Sequence, residues 1–262
     1  MSNNKNRRSL VLAVVSIAGF FSIWQLFSTL GLLNENLLPG PIAVIKEIYK
    51  GITSGPLFND ILNSLRRVIF GFIVGGFLGV VIGLVCALKK TAGNLIKPIV
   101  EILRPIPPIA WIPLSILWFG FGEPSAYFLV SLGAFFPIFS STFLGISQVN
   151  PGTVEIAKCH GADKELLFWK IIMPQATPSI FTGLKTGLGV SWMIVITAEL
   201  VGVQNGLGYF IQVSRAQLQT EQVVAGMVII GLVGLLLNFI LTLIGRKLMP
   251  WKWREQKIGT DD

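Results

Sequence analysis

The chain has 262 residues, of which 52% are hydrophobic and only 13% charged, with a mean hydropathy of +0.70. A soluble domain carries about a quarter of its residues as charges, so this composition excludes one and makes a lipid bilayer the main solvent. The formal charge of +8 does not mark a nucleic-acid binder, because Lys and Arg are scattered between apolar runs and not gathered on one face.

Charge-free segments occupy residues 9–34, 68–88, 105–122, 124–154 and 222–245. A transmembrane helix needs about 20 largely apolar residues, so each is a candidate span. A sixth runs over 179–203, with Lys185 near one end and Glu199 near the other. The expected fold is therefore an all-α polytopic bundle of about six transmembrane helices, a single domain over 1–262. Its core covers about 57–245 and a cytoplasmic tail 246–262.

The first span is too long for a signal-peptide core and lacks a small-x-small cleavage site, which makes it a membrane anchor. Placing the N-terminus inside assigns Lys46, Lys50, Arg66, Arg67 and Arg215 to the outer side and the other sixteen of the 21 basic residues, Lys185 among them, to the inner side. That bias sets both termini in the cytoplasm. Cys86 and Cys159 then face a reducing compartment and suggest no disulfide.

After the first span, Leu38-Pro39-Gly40-Pro41 is a turn, and Pro41 starts a short helix to about Lys50. Its Ile42, Ile45 and Ile48, set against Lys46, Glu47 and Lys50, predict a helix lying on the outer surface. An amphipathic stretch at 57–70 leads into the membrane with Arg66 and Arg67 near the entry. Gly71, Gly75, Gly79 and Gly83 then recur every fourth residue and predict a smooth stripe along which another helix packs, or along which two copies slide or dimerise. Prolines at 105, 107, 108 and 113 rule out a regular helix at the start of the third span. Broken backbone there is either a kinked helix start or a pathway lining.

The loop after the fourth span has the clearest local signals. Asn150 caps a helix from Pro151 to about His160, and Gly161 ends it in a left-handed turn. Asp163 caps a second helix over 164–173, which Pro174 closes off, with Leu166, Leu167, Phe168, Ile171 and Ile172 forming an apolar surface. Two such helices read as a cytoplasmic docking knob, or as a hairpin tucked beneath the bundle.

Glu155-Ile156-Ala157, then Gly161, then Ile171, Met173 and Pro174 are similar to the E-A-A, three residues, G, nine residues, I-x-L-P loop of binding-protein-dependent ABC importer permeases. Ile156 and Met173 depart from that pattern with apolar replacements. The chain from about Leu38 onward also resembles the taurine, aliphatic sulfonate, nitrate and bicarbonate branch, through residues 103–114, Trp118 to Glu123, Ala198-Glu199 and Gly206-Leu207-Gly208-Tyr209.

The resemblance implies a multi-pass permease of the bacterial inner membrane that works as one of a pair, usually a homodimer. An extracytoplasmic substrate-binding protein would deliver a small anion to its outer mouth. Cytoplasmic ABC ATPase subunits, which bind ATP and magnesium, would drive it through the loop 150–174, with Glu155, Ala157, Gly161, Ile171 and Pro174 at the contact. This chain itself is expected to hold no cofactor or metal and to catalyse nothing: none of its 28 glycines is followed by Lys, so it has no phosphate-binding Walker loop.

Arg66 and Arg67 are candidates for attracting an oxyanion, or pair with Asp60 or lipid phosphates; Arg215 adds to the same field. Glu199, an ionisable group inside a span, is a candidate gate or a partner of nearby backbone. The rivals are an intramembrane enzyme and an ATPase-independent channel. The enzyme lacks two acidic residues at one expected depth, and a channel has no use for the loop.

Overall fold

The computed structural model describes residues 2–30 and 38–250, with side chains left undescribed at 2–10, 13 and 17; the tail from 251 lies outside the described residues. The described residues form α1 (Ser2–Thr29), α2 (Pro41–Thr53), α3 (Leu57–Leu88), α4 (Lys90–Leu103), a 3-10 turn (Pro108–Trp111) and α5 (Ile112–Phe119). Then follow α6 (Glu123–Ser147), α7 (Pro151–Cys159), α8 (Lys164–Leu166), a π-helical turn (Leu167–Ile172), α9 (Met173–Val201), α10 (Leu207–Ala216) and α11 (Thr220–Leu248).

The centre of the bundle is α3, α6 and α9, packed so closely that backbone meets backbone. A Cβ on Gly79 would lie 2.9 Å from the Phe135 carbonyl, and one on Gly83 2.9 Å from that of Phe139; Gly71 meets Val130 and Gly75 meets Ser131. The four glycines of α3 therefore face α6 of the same chain. Packing of this kind relies on small residues, because lipid tails offer helices no hydrophobic driving force to associate. From the other side α9 brings Gly183 and Gly187 against Ile138 of α6. Away from these contacts much of the surface of α3 and α11 is apolar: Phe77 on α3 is 67% exposed and Leu235 on α11 68%, as a lipid-facing surface requires.

Four helices are long and apolar enough to cross a membrane: α3, α6, the continuous run Lys164–Val201, and α11. The expected third span departs from a single helix. Residues 90–119 form α4 and a Pro108–Phe119 segment bent by 91° to each other, which together make a fifth crossing if counted as one broken span. The proline cluster causes the break, since each ring removes a donor and excludes the preceding residue from helical geometry. The α4 half packs by Val100 on Phe136 and Phe139, while the α5 half joins Ser115 to Ser125 near the start of α6 by a 2.9 Å hydrogen bond.

Two further expectations change. The Ile triad of α2 does not share a face: Val44 is buried and Ile48 packs inward, while Ile42 and Ile45 point out, 55% and 64% exposed. Pro174 does not close a helix, because the chain runs from Lys164 to Val201 without interruption. A π-turn at 167–172 immediately precedes Pro174, and widened backbone of this kind accommodates a proline within a continuing helix. Lys185 consequently stands twelve residues inside α9, about 18 Å from its first residue. Both cysteines are free, Cys86 buried and Cys159 exposed.

Candidate functional site

Asp60, Ser64 and Arg67 sit at i, i+4 and i+7 on one face of α3, and that face turns into the bundle. Ser64 and Arg67 are fully buried, and Asp60 nearly so. Opposite them Glu199, also fully buried, comes from the last turn of α9, and Glu123 from the first residue of α6. The site lies at the end of the bundle away from the 150–174 loop, which the charge bias assigns to the outside.

The guanidinium of Arg67 has five N–H donors, and all five have acceptors. Nη1 donates to Glu199 Oε1 at 2.6 Å and to the Asn205 carbonyl at 3.0 Å. Nε donates to Glu123 Oε2 at 3.0 Å, and Nη2 to Glu123 Oε1 at 2.5 Å and to Asn205 Oδ1. The planar fork of arginine is the one side chain able to bind two carboxylates and an amide in this way.

The second half of the site is backbone. Gly206, Leu207 and Gly208 open α10, whose first N–H groups have no partner within the helix. The three donate in turn to Asp60 Oδ1 at 2.7 Å, Ser64 Oγ at 2.9 Å and Glu199 Oε2 at 2.9 Å. Ser64 in turn donates toward both oxygens of Glu199, at 2.8 and 2.9 Å. Two carboxylates at a helix N-terminus also complement its dipole. Gly206 has φ +102°, and a Cβ there would strike the Glu199 carboxyl and stand 2.6 Å from Arg67 Nη1. Only glycine allows this approach. The result ties α3, α6, α9 and α10 together through one buried knot.

Beside the knot lies a cavity of about 560 Å³, lined by Glu123, Asn205, Tyr209, Gln212 and residues 200–204 among others. Glu123, with 41% of its side chain exposed, joins the cavity to the knot.

The loop at the opposite end is built as its residues predict up to the second helix. Asn150 Oδ1 accepts from Gly152 N at 2.8 Å, and Asp163 Oδ1 from Leu166 N at 2.8 Å. Gly161 has φ +82°, with Gly161 N bonded to Lys158 O and Ala162 N to Ala157 O, the paired bonds of a Schellman cap. Glu155 and Gly161 are exposed; Ala157, Ile171 and Pro174 are half-buried. Ile156, Leu166 and Trp169 are 63%, 48% and 60% exposed.

Residues 79–254 match the family described as binding-protein-dependent transport system inner membrane component. The chain belongs to this family. It is 37% identical to the putative aliphatic sulfonates transport permease protein SsuC of Bacillus subtilis, over 94% of this chain and 87% of that one. It is 32% identical to the taurine transport system permease protein TauC of Escherichia coli, over 93% and 90%, and 30% identical to the nitrate import permease protein NrtB of Synechococcus elongatus, over 90% and 89%. The fold is that of a solved amino acid ABC transporter, with a TM-score of 0.59 at 16% identity over 80% of this chain and 97% of the other. It is also that of the MetNI methionine ABC transporter, at 0.56 and 19% over 72% and 94%.

This importer permease is thus a multi-pass inner-membrane protein, a transport component and not an enzyme, which works with ATPase and substrate-binding partners. Of its sequence-predicted residues, the fold brings Arg67 and Glu199 together and leaves Arg66 exposed outside the knot. Asp60 does not pair with either arginine among the described residues; it caps the Gly206 N–H instead. Two acidic residues do share a depth, contrary to expectation, but Glu123 and Glu199 are held apart by the guanidinium between them and form no acid–base pair. Ser64, Glu123 and Asn205 were not expected at the site, and Asp60 only as a partner of the arginines. The one available signal was the i, i+4, i+7 spacing of Asp60, Ser64 and Arg67.

Proposed function

We propose that this permease, paired with a second identical copy, passes a small oxyanion across the inner membrane, a sulfonate such as taurine or, as the second reading, nitrate. The 37% identity to an aliphatic sulfonates permease, spanning nearly the whole chain, is the observation that carries the substrate class. Partner ATPases, holding ATP and magnesium, grip the loop 150–174. Glu155 and Gly161 are presented to them, and Ala157, Ile171 and Pro174 fix the angle of the two helical pieces.

Continuity of the helix supports a mechanical route. Lys164–Val201 is one run of 38 residues, about 57 Å long, with the ATPase-facing turn at one end and Glu199 at the other. A shift of the loop is therefore delivered to the knot without crossing a flexible joint. Arg67 has no spare donor for cargo, so its role in this reading is that of a gate hinge: it holds the outer ends of α3, α6 and α9 together in one of two packings whose populations ATP shifts. Arg66, exposed at the same end, contributes attraction for the anion and does not contribute to the knot.

The test is reconstitution of the permease with its ATPase and binding protein in proteoliposomes, followed by uptake of labelled taurine and labelled nitrate. ATP-dependent uptake of taurine, competed by other sulfonates, is expected. Uptake of nitrate alone selects the second reading, and uptake of either without ATP overturns the importer mechanism.

A further inference from the structure

The outward face of α9 carries polar side chains and a charge at mid-helix. Apart from Val201 at its end, its exposed positions are Gln175, Thr182, Lys185, Thr186, Gly189 and Met193, which recur at helical spacing and form one stripe on the side away from α6. Most of the exposed mid-helix positions on α3 and α11 are apolar, among them Phe77 and Leu235, with Asn238 of α11 the polar exception. A stripe of hydroxyls with an ammonium is not a lipid-facing surface.

The depth of Lys185 follows from its neighbours. Gly183 and Gly187, on either side of it, both pack on Ile138 of α6. Across α6 the same Ile138 meets Gly76 and Gly79 of α3, at the middle of the charge-free run 68–88. Lys185 is therefore rooted close to the bilayer midplane. Its stem, about 6 Å long, cannot carry the ammonium across the remaining half of a hydrocarbon layer about 30 Å thick to the headgroups. Lys185 is exposed and forms no ion pair among the described residues.

We propose that Lys185 is the anion contact of a water-filled conduit lined by the outward stripe of α9, taking a small singly charged oxyanion at mid-membrane depth. The inference deepens the oxyanion reading above and rests on it. Lysine suits the task because its compact, hydrated charge attracts an oxyanion without the bidentate grip that would hold it. Thr186 beside it offers a hydroxyl donor. Gly189, one turn outward, leaves open space: a Cβ there would meet nothing within 4 Å, so a side chain added there is unobstructed. The arrangement separates two cationic groups by role: Arg67 is saturated and structural, Lys185 is unsatisfied and available.

The test uses the open space. Gly189→Cys places a thiol one turn from Lys185, and the full permease with its ATPase in lipid nanodiscs is treated with two membrane-impermeant methanethiosulfonates, an anionic sulfonatoethyl and a cationic trimethylammonioethyl reagent. The reaction of Cys86 and Cys159 in the parent protein is subtracted. Both reagents are expected to react, the anionic one preferentially, and Lys185→Gln should reduce that preference about tenfold. No reaction with either reagent means a face covered by lipid or by a second copy, and overturns the proposal. Reaction with a preference that Lys185→Gln leaves unchanged overturns it too. Binding-protein-stimulated ATP hydrolysis by the same preparation tests the importer reading separately, so the loss of one is not mistaken for the loss of the other.

Discussion

Arg67 Nη1 stands 2.6 Å from Glu199 Oε1, and neither side chain reaches solvent. The two residues are 132 positions apart in the chain. Burying such a pair repays its desolvation only when the remaining donors and acceptors are also satisfied, and here Glu123, Asn205, Ser64 and Gly208 complete the set. Removing one partner leaves the other as an uncompensated buried charge. Arg67→Ala should therefore cost about 3–5 kcal/mol, read as a lowered unfolding midpoint in detergent. Arg67→Met combined with Glu199→Met should recover a large part of that loss. If the single and double variants unfold alike, the pair is not the coupling element of the knot.

At the other end of the lever, Gly161 sits in the left-handed region with φ +82° and open space around its Cα. The obstacle to a side chain here is backbone strain, not crowding. Gly161→Val should cost about 1–2 kcal/mol and reorient the two helical pieces of the loop. The expected outcome is a permease that inserts and is recovered from membranes at near normal yield, with loss of binding-protein-stimulated ATP hydrolysis. Stimulation unchanged by this variant would contradict coupling through the loop.

The loop was legible because its signals are local: Asn150, Gly161 and Asp163 each act on backbone within five residues. The membrane class and the inner and outer ends were legible because apolar runs and Lys/Arg bias are one-dimensional. The knot was only half legible. Arg67 and Glu199 stand out as charges in spans, but their partnership depends on how α3 and α9 dock. Glu123 looks like a loop residue until Gly122 N bonds to Gly202 O at 2.8 Å and folds it inward. The end of the loop's second helix was misread for a similar reason: Pro174 signals a helix end by every local rule, and the π-turn before it leaves no mark in composition.

The glycine stripe of α3 gives a graded test of helix packing. A side chain on Gly75 would run into the carbonyl group of Ser131, which is backbone and cannot swing away, whereas one on Gly76 would meet only the tip of Ile138 at 3.4 Å. Gly75→Val should destabilise by about 1–3 kcal/mol through overpacking, and Gly76→Ala should leave the unfolding midpoint nearly unchanged. Equal effects at the two positions would mean that α3 meets α6 by a different face.

Pro174 carries the final expectation. Its ring directly follows the wide turn at 167–172, and that turn sets the rotation of Leu166 and Trp169, both exposed, relative to α9. Pro174→Ala restores an N–H that can bond to the Lys170 carbonyl, so the π-turn is free to relax into regular helix. One residue less in the bulge rotates everything before it by about 100°. Stability should be unchanged or slightly higher, while ATP hydrolysis should lose its dependence on the binding protein, because the apolar side chains would point away from their seat. Hydrogen exchange at Lys170 and Ile171 checks the structural half of this, with stronger protection expected in the variant, and ATPase measurement with and without the binding protein checks the functional half. A variant that remains fully coupled would show that the direction of the turn is set by Gly161 alone.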